Sequence, residues 1–475
     1  VSKKNLVLLV VLVVFASMHI FGGCGKKNED LKEQVSSGEF YHENGLPKDK
    51  KVKLTAIFPV QGHGKEYMEY AIETFEDKFP NVKIDVRYIE GGVAYAQVIQ
   101  SILKAGIDQE MYDWAFSYGE YQPLLINEGK LELQDELWER NLYDHPDVKV
   151  KDIVIADELE IFGSDGHLYI LPQMLSIYGL YFNKKMFESY GWSQESENWD
   201  EFIRLCENIN RANSDVYPVV ATGKFPLYFK YAWGAVPYEI GGERFRKAEY
   251  DLEPNVYLDN AYLMMFKRLE EFARKGYIHP GTVSFDHTQS QMEFLQGKAA
   301  MIPVGSWVAN EMREVMPSSF EWGFMPFPGN EVGQQKVILT KANGNGYIWR
   351  NRPKLNKQWA KEFNLWMLNL SIQQKIGEGG AVPVRKDFTD HPEILKGLSP
   401  SVRVAMERIN ETNAKTLNPD VRSRLIANPE MAKMNKVVGD NIVAVILQKK
   451  RAEDAVKEIN DLYMRGLSAD KKNQR

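Results

Sequence analysis

The sequence predicts an α/β protein with two units, each a parallel-rich sheet flanked by helices. Short strands alternate with amphipathic helices from residue 52 to about 120, and the alternation resumes from residue 178. Strict alternation of this kind is typical of parallel β-α-β units. The 475 residues are also too many for one compact core and enough for two.

The first half opens with a predicted strand at residues 52–58. A helix follows whose apolar residues keep helical spacing from Met68 to Phe79, until Pro80 ends it. Residues 82–88 alternate as a second strand, and Gly91 and Gly92 turn the chain into another helix. A third strand is predicted at 113–118.

The second half repeats these patterns. Strands are predicted at 178–183, at 299–304 and around 345–349, with helices at roughly 258–275 and 288–297. The last hundred residues are mostly helical. No period of about 20–50 residues recurs, which argues against solenoids and propellers.

The first 23 residues have the features of a secretory signal peptide. Two lysines precede an apolar run at 6–16, which is too short to span a bilayer, and the small residues Gly22 and Gly23 stand before Cys24. This order resembles a bacterial lipobox, which implies a diacylglycerol anchor on Cys24 and a location outside the cytoplasm, at the cell surface or in the periplasm. An ordinary signal with a chance cysteine is the alternative. Residues 24–50 are polar and are predicted to be a flexible linker.

The composition is that of a globular protein, with 44% hydrophobic and 26% charged residues. The net charge is −6 and no basic block is present, so nucleic acid is not an expected partner. Besides Cys24 the only cysteine is Cys206, which lies on an apolar helical stripe and is expected to be a buried thiol. No metal-binding or nucleophile motif is found, and no cofactor is expected.

Seven segments resemble the extracellular solute-binding proteins of bacterial ABC importers, in family order from residue 52 to about 460. They are YMEYAIETFEDKFPNVKIDVRY, GHLYILPQMLSIYGLYFNKKMFESYGW, NWDEFIRLCENIN, FLQGKAAMIPVGSWVANEM, GFMPFPG, GGAVPVRKDF and VAVILQKKRAEDAVKEIN. The chain looks most like the carbohydrate-binding family 1 lipoproteins. The segment MIPVGSWVANEM is similar to members that bind N-acetylglucosamine and chito-oligosaccharides.

The resemblance implies a two-lobed fold of the type II periplasmic-binding-protein class, with crossing strands as a hinge. The amino-terminal lobe would comprise 50–177 and 330–379, and the carboxy-terminal lobe 178–329 and 380–475. The crossings would lie near Leu175–Leu180, Phe327–Gly333 and Gly379–Val384. It also implies a monomeric receptor, not an enzyme, that binds a mono- or oligosaccharide between the lobes and delivers it to ABC permease subunits in the membrane.

Aromatic residues at strand ends are the first candidates for the site, because sugars stack on flat rings and ligands sit at the carboxyl ends of parallel strands. Trp307 directly follows the strand at 299–304, where the family carries a stacking aromatic. Tyr178 starts a strand at a proposed crossing. Trp233 lies where the family often supplies another platform, and core packing is an equal alternative there.

Polar residues near strand ends and crossings are the candidates for hydrogen bonds to sugar hydroxyls. They are Asp113, Tyr118, Gln61, Glu90, Gln173, Asn343 and Arg385. Each has a structural alternative, such as an ordinary strand-end carboxylate for Asp113 or a solvated arginine for Arg385. His63, next to Gln61, is interpreted as an ordinary surface histidine.

Two other functions stay open on the sequence. An exported glycoside hydrolase needs only a suitably spaced pair of carboxylates, and 65 acidic residues are available. A ligand-sensing subunit of a signalling system would have the same two lobes and a different partner.

Overall fold

Two separate β-sheets organise the chain in the computed structural model, which describes residues 39–60, 62–116, 122–155, 165–343, 346–419, 428 and 430–473. Within these ranges eleven strands are formed. They are β1 (Val52–Val60), β2 (Val82–Glu90), β3 (Trp114–Phe116), β4 (Met174–Asn183), β5 (Tyr217–Val219), β6 (Ala299–Gly305), β7 (Trp322–Met325), β8 (Val337–Asn343), β9 (Gly346–Ile348), β10 (Val382–Pro383) and β11 (Lys415–Leu417).

Eighteen α-helices are formed within the same described ranges. They are α1 (Glu66–Lys78), α2 (Gly92–Ala105), α3 (Gln122–Asn127), α4 (Asp135–Trp138), α5 (Val150–Ile153), α6 (Lys184–Tyr190), α7 (Trp199–Ala212), α8 (Leu227–Trp233), α9 (Val236–Tyr250), α10 (Asn260–Arg274), α11 (His287–Leu295), α12 (Val308–Glu311), α13 (Lys354–Trp366), α14 (Leu370–Glu378), α15 (Pro392–Gly397), α16 (Pro400–Thr412), α17 (Met434–Ile446) and α18 (Ala452–Asn473). Helix α9 is kinked at Gly242.

The first sheet has the strand order β2-β1-β3-β9 and, with its helices, is here called the first lobe. β1 is parallel to β2 and β3, whereas β9 is antiparallel to β3. Phe58 of β1 and Phe75 of α1 are buried in its core. The β-α-β units predicted for residues 52–118 are therefore confirmed.

The second sheet has the order β11-β8-β4-β6-β5, with β7 and β10 also paired to β4, and forms the second lobe. Here the prediction of a parallel-rich sheet is wrong, because β4 runs antiparallel to β6, β7, β8 and β10. The parallel pairs are β5 with β6 and β11 with β8. A fully buried strand is continuously apolar whatever its direction, so the residue pattern did not reveal the antiparallel pairing.

Strand β4 changes partners along its length. Residues Met174–Ile177 pair with β8, and the first two of them also pair with β10. From Tyr178 onward the strand pairs with β6, and from Leu180 also with β7. The pairing thus changes between Ile177 and Tyr178.

The predicted crossings agree with the structure in two places. β4 and β10 coincide with the predictions near Leu175–Leu180 and Gly379–Val384. The third, near Phe327–Gly333, is wrong, because the following strand β8 still belongs to the second sheet and the chain enters the first sheet only at β9. The lobe boundaries as a whole stay a prediction.

Residues 39–50 are folded onto the first lobe, so the predicted flexible linker extends too far. An antiparallel bridge joins Phe40 to Pro47. The Tyr41 hydroxyl donates to Oδ1 of Asn81 at 2.7 Å, and its ring meets the edge of Phe79 at 4.9 Å between centroids. Leu46 is buried in the same core, and Glu43 and Asn44 bond to Lys78 and Tyr143, so several contacts together offset the entropy cost of ordering this segment.

The predicted buried thiol is confirmed. Cys206 on α7 has no solvent exposure, and burial raises the pKa of its thiol well above the ordinary value. Among the described residues, no helix combines the length and the hydropathy required to cross a membrane.

A glutamate is buried in the second lobe without full pairing. Oε1 of Glu239 accepts from the amide of Val337 at 3.1 Å, whereas Oε2 has no hydrogen-bond partner among the described residues. Burial raises the pKa of this carboxyl to about 8, although Arg268 and Lys336 nearby oppose the shift.

Glu239→Gln should therefore flatten the pH dependence of stability. A carboxyl whose folded-state pKa exceeds its unfolded value stabilises the protein fully below about pH 4.5, and this contribution is lost as the pH rises through about 8. The amide keeps the acceptor for Val337, so the variant should gain stability over the wild type at pH 9 by on the order of 3 kcal/mol. Thermal unfolding from pH 5 to 9 measures this.

Glu243→Gln is the matched control, since Glu243 lies on the same helix and is exposed. Parallel pH profiles for wild type and Glu239→Gln would contradict the assignment.

Candidate functional site

A cavity of about 1060 Å³ lies between the two lobes. The first lobe contributes residues at the carboxyl ends of its parallel strands, namely Val60 after β1, Glu90 of β2 and Phe116 of β3. This edge is where ligands sit in parallel α/β sheets. The second lobe contributes Tyr178, the segments 222–231, 286–292 and 307–315, and Lys341.

A continuous row of aromatic rings forms the second-lobe wall of the cavity. Tyr231 stacks on Tyr178 with 4.5 Å between ring centroids, and Tyr178 meets Trp307 edge-on at 5.4 Å. Trp307 lies 5.8 Å from Tyr228, which lies 5.2 Å from Phe225. We call these five residues the aromatic wall. Such a wall suits a ligand with several apolar ring faces.

Trp307 is held closely by backbone. A Cβ added to Gly62 would lie 2.2 Å from its ring, and one added to Gly305 would lie 2.0 Å from it. From the second lobe, Nδ2 of Asn310 donates to the carbonyl of Gly62 in the first lobe at 2.9 Å. The loop after β1 and the segment after β6 therefore touch each other through Trp307 and Asn310.

His63 lies in this contact between the lobes. Its Nδ1 is 3.3 Å from the carbonyl of Gly379, and its Nε2 is 3.4 Å from Oγ of Ser176. Burial lowers the pKa of His63 to about 4, so the imidazole is neutral at neutral pH. The interpretation of His63 as a surface histidine is wrong, because the loop after β1 packs against the second lobe.

One carboxylate beside the aromatic wall, that of Glu311, is fixed by two neighbouring side chains. Oε2 of Glu311, at the end of α12, lies 2.6 Å from Nε2 of His287 and 2.6 Å from Nε2 of Gln291. Both neighbours lie on α11, four residues apart and so on one face of the helix.

The structure brings three of the predicted site residues to the cavity, namely Trp307, Tyr178 and Glu90. Gln61 and Tyr118, like Cys24, lie outside the described residues. Asn343 ends β8 opposite Met174. For these three site candidates, contact with a ligand stays a prediction.

Trp233 and Gln173 are placed elsewhere. Trp233 is 1% exposed and packs on Phe327 at 4.2 Å between centroids, so it belongs to the second-lobe core and does not line the cavity. Gln173 has no exposure, and its amide nitrogen lies 3.3 Å from Oδ1 of Asn364. Both corrections follow from tertiary packing.

Asp113 and Arg385 form buried ion pairs away from the cavity. Oδ1 of Asp113 accepts from Nε of Arg352 at 2.8 Å. Nη1 of Arg385 contacts Asp144 at 2.7 Å, and its Nη2 contacts Asp387 at 2.6 Å. Neither side chain has solvent exposure, so the interpretation of either as a ligand contact is corrected to a structural role.

Sequence reasoning missed Tyr228, Tyr231 and Glu311. All three lie on helices or their ends, α8 and α12, whereas the sequence prediction rests mainly on strand ends. The local signal for the two tyrosines was their spacing of three residues on α8, which places them on one helix face.

The cavity has flat apolar rings and scattered polar groups, an arrangement suited to binding a polyhydroxylated ligand. In the described ranges, no group of three or more His, Cys, Asp and Glu side chains is placed to hold a metal ion.

Solved structures share this architecture. A chitin oligosaccharide binding protein superposes with a TM-score of 0.71 at 19% identity, covering 88% of this chain and 99% of that one. An ABC substrate-binding protein from Listeria monocytogenes in complex with cycloalternan gives a TM-score of 0.71 at 17% identity, covering 88% and 100%. The fold is thus the two-lobed fold of solute-binding proteins.

The sequence comparisons identify the family. The model of the bacterial extracellular solute-binding proteins matches residues 60–373, and the chain belongs to this family. The diacetylchitobiose binding protein NgcE of Streptomyces coelicolor is 23% identical over 330 residues, which is 68% of each chain. The predicted family and two-lobed α/β fold are confirmed.

Proposed function

We propose that this protein is an extracytoplasmic receptor that binds a carbohydrate in the interlobe cavity and delivers it to an ABC permease. The observation that carries the proposal is the aromatic wall facing a cavity of about 1060 Å³. A cavity at the upper end of the usual range for small-molecule sites suits an oligosaccharide better than one sugar ring. The names of the relatives, which concern diacetylchitobiose and chitin oligosaccharide, support chito-oligosaccharides as the first candidates.

The mechanism is capture by closure. The aromatic wall belongs to the second lobe, whereas Glu90 and Phe116 belong to the first, so a ligand completes its contacts only when both lobes approach it. Binding then shifts the equilibrium between open and closed forms. The hydrogen bond from Asn310 to the carbonyl of Gly62 joins the two lobes beside the cavity. No covalent step is required.

A ligand screen tests the proposal. Chito-, malto- and xylo-oligosaccharides of one to six rings are added to the purified protein, and at least one series should raise its melting temperature, because a ligand bound only by the folded state stabilises it. Chromatography of the same mixtures should show unaltered sugar. Cleavage products would favour the glycoside hydrolase instead. Loss of sugar uptake on deletion of the gene would separate import from sensing.

Trp307→Leu should weaken binding of the tetrasaccharide that shifts the melting temperature most, by roughly 1–3 kcal/mol, because a stacking ring is lost. Isothermal titration calorimetry measures the change. Trp199→Leu is the control, since Trp199 is equally buried but lies in the second-lobe core, away from the cavity. It should lower the melting temperature and leave the affinity unchanged. Equal affinities for Trp307→Leu and wild type would remove Trp307 from the site.

We also propose that a diacylglycerol on Cys24 holds the receptor at the outer face of the membrane. The support is the order of charged, apolar and small residues before Cys24. Cys24→Ala should release the protein from the membrane fraction and abolish labelling by a palmitate analogue. Cys206→Ala, which removes the buried thiol, should keep both. Continued labelling of Cys24→Ala would refute the anchor.

A further inference from the structure

The carboxylate of Glu311 occupies a distinct position in the cavity. Glu311 follows Trp307 by one helical turn and lines the same side of the cavity, with 21% of its side chain exposed. His287, which contacts it, lies 5.2 Å from Tyr228 between ring centroids. The carboxylate is therefore adjacent to two rings of the aromatic wall.

Only one of the two carboxylate oxygens of Glu311 is in hydrogen-bond contact with neighbouring side chains of the described residues. Nε2 of His287 and Nε2 of Gln291 both lie 2.6 Å from Oε2. Among the described residues none donates to Oε1, which is left as an acceptor at the cavity wall. Two fixed contacts on one oxygen restrict the rotation of the carboxylate, so the position of the other oxygen is also fixed.

This geometry leaves one buried polar atom without a hydrogen bond to any described residue, which lowers the stability of the fold. Gln291 is fully buried, and while its amide nitrogen serves Glu311, its Oε1 has no hydrogen-bond partner in the described part of the chain. An unsatisfied buried carbonyl oxygen is destabilising. A buried apolar residue would avoid this cost, so the glutamine is explained better by the orientation of Glu311 than by the stability of α11.

The charges along the cavity point to the same kind of ligand. Its lining includes more carboxylates than cations, and the carboxylates are Glu66, Glu90, Asp286, Glu311 and Glu314. The cations are Lys224, Arg313 and Lys341. Arg313 lies 4.0 Å from Glu66 and Lys224 lies 3.8 Å from Asp286. A ligand that carries carboxylates would meet an excess of like charge in a partly desolvated cleft.

We propose that Glu311 is the specificity-determining acceptor of the cleft. Its Oε1 receives hydrogen bonds from donors on a sugar ring stacked on Trp307, either hydroxyl groups or the N–H of an acetamido group. His287 and Gln291 are positioning residues that act through Glu311. The site thereby selects neutral sugars and rejects uronic acids. This assignment rests on the proposed carbohydrate function and specifies it.

The test uses calorimetry on the full mature protein with four probes, namely chitotetraose, maltotetraose, xylotetraose and tetragalacturonic acid. For the best neutral probe, Glu311→Gln should lower the affinity by about tenfold or more, because the amide donates where the carboxylate accepts. The variant should also reduce the preference for that probe over tetragalacturonic acid. Glu293→Gln is the control, since Glu293 lies on α11 near His279 and Lys298, outside the cavity. It should leave both values unchanged.

A double-mutant cycle tests the positioning role. Gln291→Met keeps the volume of the side chain and removes its donor, so it should weaken neutral-sugar binding in the wild-type background and have little further effect in Glu311→Gln. Additive effects would show that Gln291 acts only on the fold and would overturn its role.

Two results would overturn this inference and leave the receptor function intact. In the first, the wild type binds a neutral probe and Glu311→Gln binds it with the same affinity. In the second, the wild type binds tetragalacturonic acid as tightly as the neutral probe. Binding of none of the probes by the wild type would instead count against the receptor function itself.

Discussion

The geometry of the cavity depends on a single strand, β4, and on its change of partners. Its first residues are held between β8 and β10, and its later residues between β6 and β7. The register of the second pairing places Tyr178 directly opposite Gly305. Trp307, two residues beyond Gly305, is thereby brought to the same point. Backbone hydrogen bonding on both edges of β4 thus fixes Tyr178 and Trp307 relative to each other. Tyr228 and Tyr231 of α8 extend the aromatic wall from these two rings.

The sequence contained most of the fold but not the direction of its strands. In the first lobe, single helices between successive strands favour parallel pairing, and β1 pairs in parallel with β2 and β3. In the second lobe the strands are fully buried, so period-two alternation is absent and direction cannot be inferred. The amino-terminal segment shows a related limit. It is polar apart from a few residues, of which Tyr41 and Leu46 pack on the first lobe and hold it there.

The site was predictable where position along a strand decides function. Trp307 lies just beyond the end of β6 and lines the cavity as expected, and Tyr178 lines it too, although it lies within β4 and does not begin a strand. Trp233 could not be separated from them, because its burial depends on a core assembled from distant parts of the chain. Arginine is a residue type that often contacts ligands, yet Arg385 is paired in the interior with two carboxylates. One is Asp144, distant in sequence, and the other is Asp387, two residues away. Glu311 was missed because its environment comes from another helix.

The glycines around Trp307 couple positions that are far apart in the sequence. Added Cβ atoms at Gly62 and Gly305 would overlap its ring, and one at Gly380 would lie 2.7 Å from its Cα. The indole at 307 and the bare backbone at 62 and 305 are therefore one steric unit assembled from both lobes. A smaller side chain at 307 would relax the requirement for glycine at these two positions, so the three sites should co-vary among relatives. Any redesign of the cleft for a different ligand has to treat them together.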